Sequence, residues 1–307
     1  MSVIAISRGS FSGGEAVAKA LAARLGYRCV SREVLFEAAW GYGVPADEVM
    51  TAMERRPPFL ERMAGIRSKH LILVRAALCE QAQGGSLIYH GHLGHLLLPG
   101  IAHVIGVRVI ADMTFRVASV MREHGFTHRD ALAYIQHADR ERRQWTRFLF
   151  GVEWDDPQLY DVVMNLSRMS VAAACDLLGR LTETEEFRPS PASLKAMRDL
   201  TLRSRVAAAL ATDRRTRDLD VEVAADEGKV VVTGTTQSSA MMEAVAAVAG
   251  QVEGVTALIS EVRLLREGAP VAAAPLNGAP PPAEPRPKTS PEASRAASKV
   301  SVSPSRV

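Results

Sequence analysis

Val3-Ile4-Ala5-Ile6-Ser7-Arg8-Gly9-Ser10-Phe11-Ser12-Gly13-Gly14, followed by Val17, Leu21 and Leu25 at helical spacing, decides how the first half of this 307-residue chain is read. An apolar strand runs into a small-residue turn and then an amphipathic helix, which are the parts of a phosphate-binding βα unit. In such a turn the glycines and Ser12 let backbone N–H groups converge on phosphate oxygens, aided by the positive end of the helix. The turn lacks the lysine of a Gly-x-x-x-x-Gly-Lys-Ser/Thr loop, because Gly14, Glu15 and Ala16 follow Gly13. A tight βα turn without a ligand is the other reading of the same residues.

Around this unit strands and helices alternate. Strands are predicted at 3–7, 27–30, 86–90, 103–110 and 160–165, and helical stretches at about 13–25, 33–83, 114–150 and 168–181. That order predicts an α/β domain over residues 1–182, a parallel sheet with helices on both faces and ligands at the carboxyl ends of its strands. Residues 183–198, with Glu183, Glu185, Glu186, Pro189 and Pro191, read as an exposed linker. Beyond it, Leu202, Val206 and Leu210 mark one helical face, and Val221 and Val223 alternate with acidic residues. The turn Asp226-Glu227-Gly228, the strand Lys229–Gly234, a helix at 238–250 and a strand from Val255 to Leu264 complete a small α+β module over 199–266. Residues 267–307 hold nine of the 16 prolines and no aromatic residue, so they are predicted to form a disordered tail.

With 47% hydrophobic and 23% charged residues the chain has the composition of a soluble globular protein. Its net charge of +3 is accounted for by residues 268–307, where five Lys/Arg meet two Asp/Glu. The remainder is neutral, which argues against a nucleic-acid partner. Cys29, Cys79 and Cys175 are odd in number and far apart, so neither a disulfide framework nor a thiolate metal site is indicated. No export signal and no apolar run of about 18 residues is read, and a cytoplasmic location is expected.

The run Ser7-Arg8 followed by Ser12-Gly13-Gly14 resembles the opening of the cytidylate-kinase-like family, a branch of P-loop nucleoside monophosphate kinases. Asp139-Arg140-Glu141-Arg142, Phe150-Gly151, Trp154, Asp156 and Tyr160-Asp161-Val162-Val163-Met164-Asn165 agree with it in order and spacing across residues 1 to about 180. The resemblance implies a P-loop NTPase-type sheet, ATP with Mg2+ as phosphoryl donor, a nucleoside monophosphate such as CMP as acceptor, and a mobile lid carrying arginines. On that basis Arg8, Ser12, Gly13 and Gly14 are expected at the donor phosphates. Arg142 and Arg143 are expected to offset charge in transfer, and His92, Asp161 and Asn165 to shape the acceptor pocket.

Some positions depart from the family pattern. Phe11 stands where glycine is usual, so its bulk could obstruct the loop. Glu15 or Ala16 occupies the place of a magnesium-coordinating Ser/Thr, Ser31 that of an acidic residue, and His92 that of the arginine in Gly-Arg-Gly. These departures motivate the alternative of a catalytically degenerate nucleotide sensor.

Several residues keep two readings. Arg140, Arg143 and Arg147 share a helical face beside Arg142, as a phosphate-gripping set or as a solvated surface balanced by Asp139 and Glu141. His90, His92 and His95 could converge on a metal, but no carboxylate or thiolate accompanies them, and His92 is preferred as a pocket residue. Trp145, Phe148 and Phe150 read as core in preference to a base-stacking platform.

The second module resembles a BON domain on the strand pair around Asp226–Gly234 and on Val252-Glu253-Gly254-Val255. That likeness implies a protein, small-ligand or phospholipid partner and no catalytic residues. A generic dimerising α+β module is the plainer reading.

Overall fold

The computed structural model describes residues 1–33, 60–236 and 238–264, with side chains described from residue 69 onward in the second stretch. The helical reading of 34–59 and the tail at 267–307 lie outside the described residues.

Five strands, β1 (Val3–Arg8), β2 (Arg28–Ser31), β3 (Leu87–Gly91), β4 (Val104–Ile110) and β5 (Val162–Asn165), form a parallel sheet in the order β2-β3-β1-β4-β5. Val3, Ile4, Ala5 and Ile6 of the central strand are fully buried because helices cover both faces, which is why β1 reads as an unbroken apolar run. Burying each larger side chain contributes about 1.5–3 kcal/mol. One face carries α1 (Gly14–Leu25) and, after β5, the helix Val171–Leu181, with Ile4, Ile6, Val17, Leu21, Val107 and Leu178 in their shared core. The opposite face carries α2 (Leu60–Gln83) and the single turn α3 (Gly94–Leu97) over Val3, Ala5, Leu87 and Tyr89. Ser7 is in register with both Gly91 and Arg108, so the ends of β1, β3 and β4 reach one edge together.

The helical stretch expected at 114–150 is two helices, α4 (Met113–His124) and α5 (His128–Phe150). Gly125 ends the first in the left-handed conformation at φ 69°, and the Thr127 hydroxyl accepts from Asp130 N to start the second. The helix Val171–Leu181 is accordingly α6.

Helix α7 (Pro191–Thr212) starts with a Ser190/Ser193 capping box and Pro191 in its first turn. It is followed by β6 (Val221–Asp226), β7 (Lys229–Thr236), α8 (Ser239–Gly250) and β8 (Ala257–Leu264), whose sheet runs β6-β7-β8. β6 pairs antiparallel and β8 parallel to β7. Two faces of α7 enter two cores. Met197, Leu200 and Ala208 join Leu73, Leu78 and Tyr89 beneath the large sheet, whereas Leu202, Val206 and Leu210 pack with Val230, Val232, Val245 and Val262. Around this helix Arg205 pairs with Glu80 at 3.0 Å, Cys79 Sγ lies 3.7 Å from Ser204 Oγ, and the Asp199 carboxylate accepts from Glu227 N at 2.8 Å.

The exposure expected of residues 183–198 is corrected at Phe187, Ser193 and Met197, which are buried. Ser2 Oγ donates to Phe187 O at 2.8 Å, and the aromatic ring joins the core of the α1/α6 face. The glutamates that suggested a linker occupy only its outward side. Among the described residues no helix is long and apolar enough to cross a membrane.

Candidate functional site

The turn after β1 is held from beneath. Ser12 is buried, its N–H donates to Gly9 O at 3.2 Å, and its hydroxyl lies within bonding distance of Gly9 O (3.0 Å) and Val109 O (2.9 Å). Ser12 therefore ties the turn to β4, and both of its donors are engaged within the protein. Gly13 has φ 82°, and a Cβ there would meet Leu166 Cδ1 at 2.8 Å; a Cβ on Gly14 would meet Arg8 Cβ at 2.7 Å. Both glycines are fixed by close packing as well as by the turn. Gly13 caps α1 without a side-chain hydrogen bond, which leaves the helix start open to an anion.

Phe11 does not lie across this approach. With φ 58° it turns its ring to the α4–α5 pair, 5.5 Å from the His124 ring and 5.7 Å from Tyr134, against the cluster of Val117, Val120, Ala131 and Ile135. The expected obstruction is thus a docking contact. Arg116 of α4 strengthens it, giving Nε to Ser10 O at 2.7 Å and Nη2 to both Asp139 carboxylate oxygens at 2.8 Å.

This docking brings Arg142 to the end of β1, where its Nη1 donates to Arg8 O at 2.9 Å. Burial pushes the Arg142 guanidinium down to about 10, with Arg8 and then Arg32 adding repulsion. Among the described residues no carboxylate pairs with Arg142. Arg8 Nη1 donates to Glu15 at 3.1 Å, while its Nε is buried without a partner. Glu15 also meets Lys19 at 2.8 Å, and chiefly that hydrogen bond lowers its carboxyl below the usual range.

Arg143 does not join this group. One residue further round α5, it faces Asp155 at 3.7 Å, and Arg147 pairs with Glu153. The helical face shared by Arg140, Arg143 and Arg147 is the outer one, and Arg142 beside it points inward. Trp145 and Phe150 are buried and Phe148 is exposed.

The three histidines have separate surroundings. His92 Nε2 lies 2.9 Å from Thr146 Oγ1, which donates its own proton to Arg142 O at 2.8 Å. His92 therefore donates from Nε2, leaving Nδ1 as a buried acceptor without a partner. Burial, then Arg142 and Arg32, holds its pKa well below 6.5. His95 has its ring 4.7 Å from that of Tyr160 and both nitrogens buried without partners; burial lowers it to about 4. His90 is lowered by burial and then by Arg8. Among the described residues no group of three or more His, Cys, Asp or Glu could hold a metal ion.

A pH dependence follows from His95. Between pH 6.5 and about 4 the unfolded chain takes up a proton that the folded chain resists. Stability therefore falls as pH falls through this window, by about 3 kcal/mol at full extent, and is complete above pH 6.5. His92 acts with the same sign. In His95→Gln the urea midpoint should fall less between pH 7 and pH 5 than in the native chain, and equal falls would remove His95 from the account.

Asp161 belongs to the scaffold and is corrected as a pocket residue. Its carboxylate accepts from Gly106 N, and its N–H donates to Gly106 O, both at 2.8 Å. It precedes β5 and faces the middle of β4, away from the carboxyl edge. Asn165, at the far end of β5 opposite Ile110, does reach that edge, where its Oδ1 accepts from Ser167 N at 3.0 Å.

Arg108 was absent from the expected site. This buried residue of β4 donates from Nη1 to Trp154 O and to Tyr160 Oη, and its guanidinium carbon lies 4.4 Å from the Trp154 ring centroid. Its signal in the sequence is a lone charge within the apolar run Val104–Ile110.

The cationic cluster, the unpartnered Arg8 Nε and the open start of α1 fit a phosphate. Of the turn's two hydroxyls only that of Ser10 is without a partner, and the other candidate positions for magnesium fit it poorly. The Ser12 hydroxyl is engaged, Ala16 has no donor oxygen, and the Asp112 side chain caps α4 by accepting from Phe115 N at 2.8 Å.

Residues 3–168 match the model of the cytidylate kinase-like family, and residues 198–266 match that of the BON domain. A cytidylate kinase of Ignicoccus hospitalis is 30% identical over 184 residues, which are 59% of this chain and 99% of that protein. Another, from Pyrobaculum aerophilum, is 28% identical over 174 residues, 56% of this chain and 87% of that protein. A crystal structure of an uncharacterized protein from Eubacterium ventriosum is 22% identical with a TM-score of 0.46, covering 60% of this chain and 100% of that one. With more than half of its length matched, this chain belongs to the cytidylate kinase-like family.

Proposed function

We propose that this chain is a nucleoside monophosphate kinase, with CMP as acceptor by analogy to the cytidylate kinases it is similar to. The observation that carries the reading is Arg142, a partly buried cation that pairs with no carboxylate among the described residues, seated on Arg8 O at the end of β1. An acceptor phosphate oxygen would attack the γ-phosphorus of ATP as the bond to the β-phosphate oxygen breaks and ADP leaves. Positioning and charge neutralisation supply most of the catalysis in such a transfer. The α1 start with Gly13 and Gly14 would take the donor phosphates, and Arg8 and Arg142 the transferring oxygens. Arg116 and Phe11 would hold the α4–α5 pair down over them, while His92 and Asn165 border the acceptor side. Magnesium, if it arrives with ATP, would supply further charge neutralisation.

A second reading, nucleotide binding without transfer, is favoured by one observation: the Ser12 hydroxyl is engaged within the protein, and Glu15 already pairs with Arg8. In either case the BON-type module would take a protein, small-ligand or phospholipid partner. The test is to follow diphosphate formation and thermal stabilisation together, with ATP, magnesium and each nucleoside monophosphate. Turnover supports the kinase, stabilisation without turnover supports the sensor, and neither signal defeats both.

A further inference from the structure

We infer that Arg108 is the ligand for the acceptor's phosphate in this chain. The inference rests on the nucleotide reading above and assigns a residue within it.

Arg108 is 8% exposed on a strand that has neighbours on both sides. Among the described residues no carboxylate pairs with it. Its acceptors are neutral, namely the Trp154 carbonyl and the Tyr160 hydroxyl, with the Trp154 ring beneath its guanidinium. Tyr160 donates its own proton to the same Trp154 carbonyl at 2.6 Å, so two donors share one acceptor. A cation buried among neutral groups keeps its charge uncompensated and its desolvation only partly offset. An anion would complete its surroundings, and no described residue supplies one.

The surroundings point to the same chemistry. Trp154 Nε1 is a buried donor without a partner, and the His92 and His95 rings hold buried nitrogens that also have none. His92 and Arg108 rest on one Trp154 ring, at 5.6 Å between centroids and 4.4 Å from the guanidinium carbon. His92 stays neutral here and cannot carry a phosphate's charge, whereas a guanidinium grips two phosphate oxygens at once. Arg108 lies one residue before the end of the β1–β4 pairing, on the sheet face that carries α2 and α3. The geometry thus supplies the positive charge at this corner from β4, with the indole N–H as a second donor.

The test is calorimetric titration of CMP and of ATP into the full chain and its variants. Arg108→Gln should weaken CMP about 10- to 100-fold, the loss of a charge-assisted pair, and leave ATP within about twofold. Moving the guanidinium back, in the double variant His92→Arg/Arg108→Gln, should recover most of the CMP affinity. Unchanged CMP affinity in Arg108→Gln, or equal losses for CMP and ATP, overturns the inference and leaves the kinase reading standing. If Arg108→Gln fails to fold, Arg108→Lys decides, with a selective loss of CMP expected and equal losses refuting. A native chain that binds no nucleoside monophosphate overturns the inference and the kinase reading together.

Discussion

Arg142→Met is expected to leave the unliganded chain about as stable as the native one while lowering nucleotide affinity on the order of 100-fold. The two effects separate because Arg142 is placed at the expense of the folded protein. Its guanidinium is buried near Arg8 and Arg32, both of which repel it, and Asp139 is already engaged by Arg116 at 2.8 Å. Removing that charge relieves desolvation and repulsion, while the bond it gave to Arg8 O is lost at about 1–3 kcal/mol. Methionine fills most of the volume. Parallel urea unfolding and ATP titration provide the check. A collapse of stability in Arg142→Met would make this arginine a structural strut and remove it from the site. Arg143→Ala, by contrast, deletes an exposed pair with Asp155 at 3.7 Å and should move neither quantity appreciably.

Ending the chain at residue 190 should unfold the kinase-like module, although every strand of its sheet remains. Met197, Leu200 and Ala208 of α7 complete the core that includes Leu73, Leu78 and Tyr89. Stripping them exposes that surface at a cost of about 2–5 kcal/mol for each large side chain, which together rivals the net stability of an ordinary domain. A chain ending at residue 264 keeps α7 and both cores and should melt as the native one does. Circular dichroism melts of the two truncations decide the matter. A cooperative transition in the 1–190 fragment near the native temperature would show that α7 is dispensable to the first module.

The sheet was legible because a fully covered parallel strand is apolar on both faces, as Val3–Ile6 are, and because the glycine turn stands between that strand and an amphipathic helix. What escaped reading shares a physical cause, namely direction. Helical spacing grouped Arg140, Arg143 and Arg147 correctly, yet which side of α5 faces the turn depends on Phe11 and Arg116, which come from elsewhere in the chain. In α7 the stripe Leu202, Val206, Leu210 was visible, whereas Met197, Leu200 and Ala208 form a second stripe that a one-faced helix does not need. Asp161 looked like a site residue through its neighbours in sequence, while its carboxylate is used at Gly106. Arg108 was the one omission with a direct signal, since a charge amid Val104–Ile110 requires a reason.

The two-faced helix α7 also sets an order of events during synthesis. The large sheet is complete once Asn165 has been made, yet its core cannot close until Ala208 has emerged, and the opposite face of that helix then waits for Val262. On this account neither module matures alone on the ribosome, and nascent chains expose the Leu73–Leu78 surface until α7 has been made. Chaperone dependence and sensitivity to late frameshifts should therefore extend to the N-terminal module.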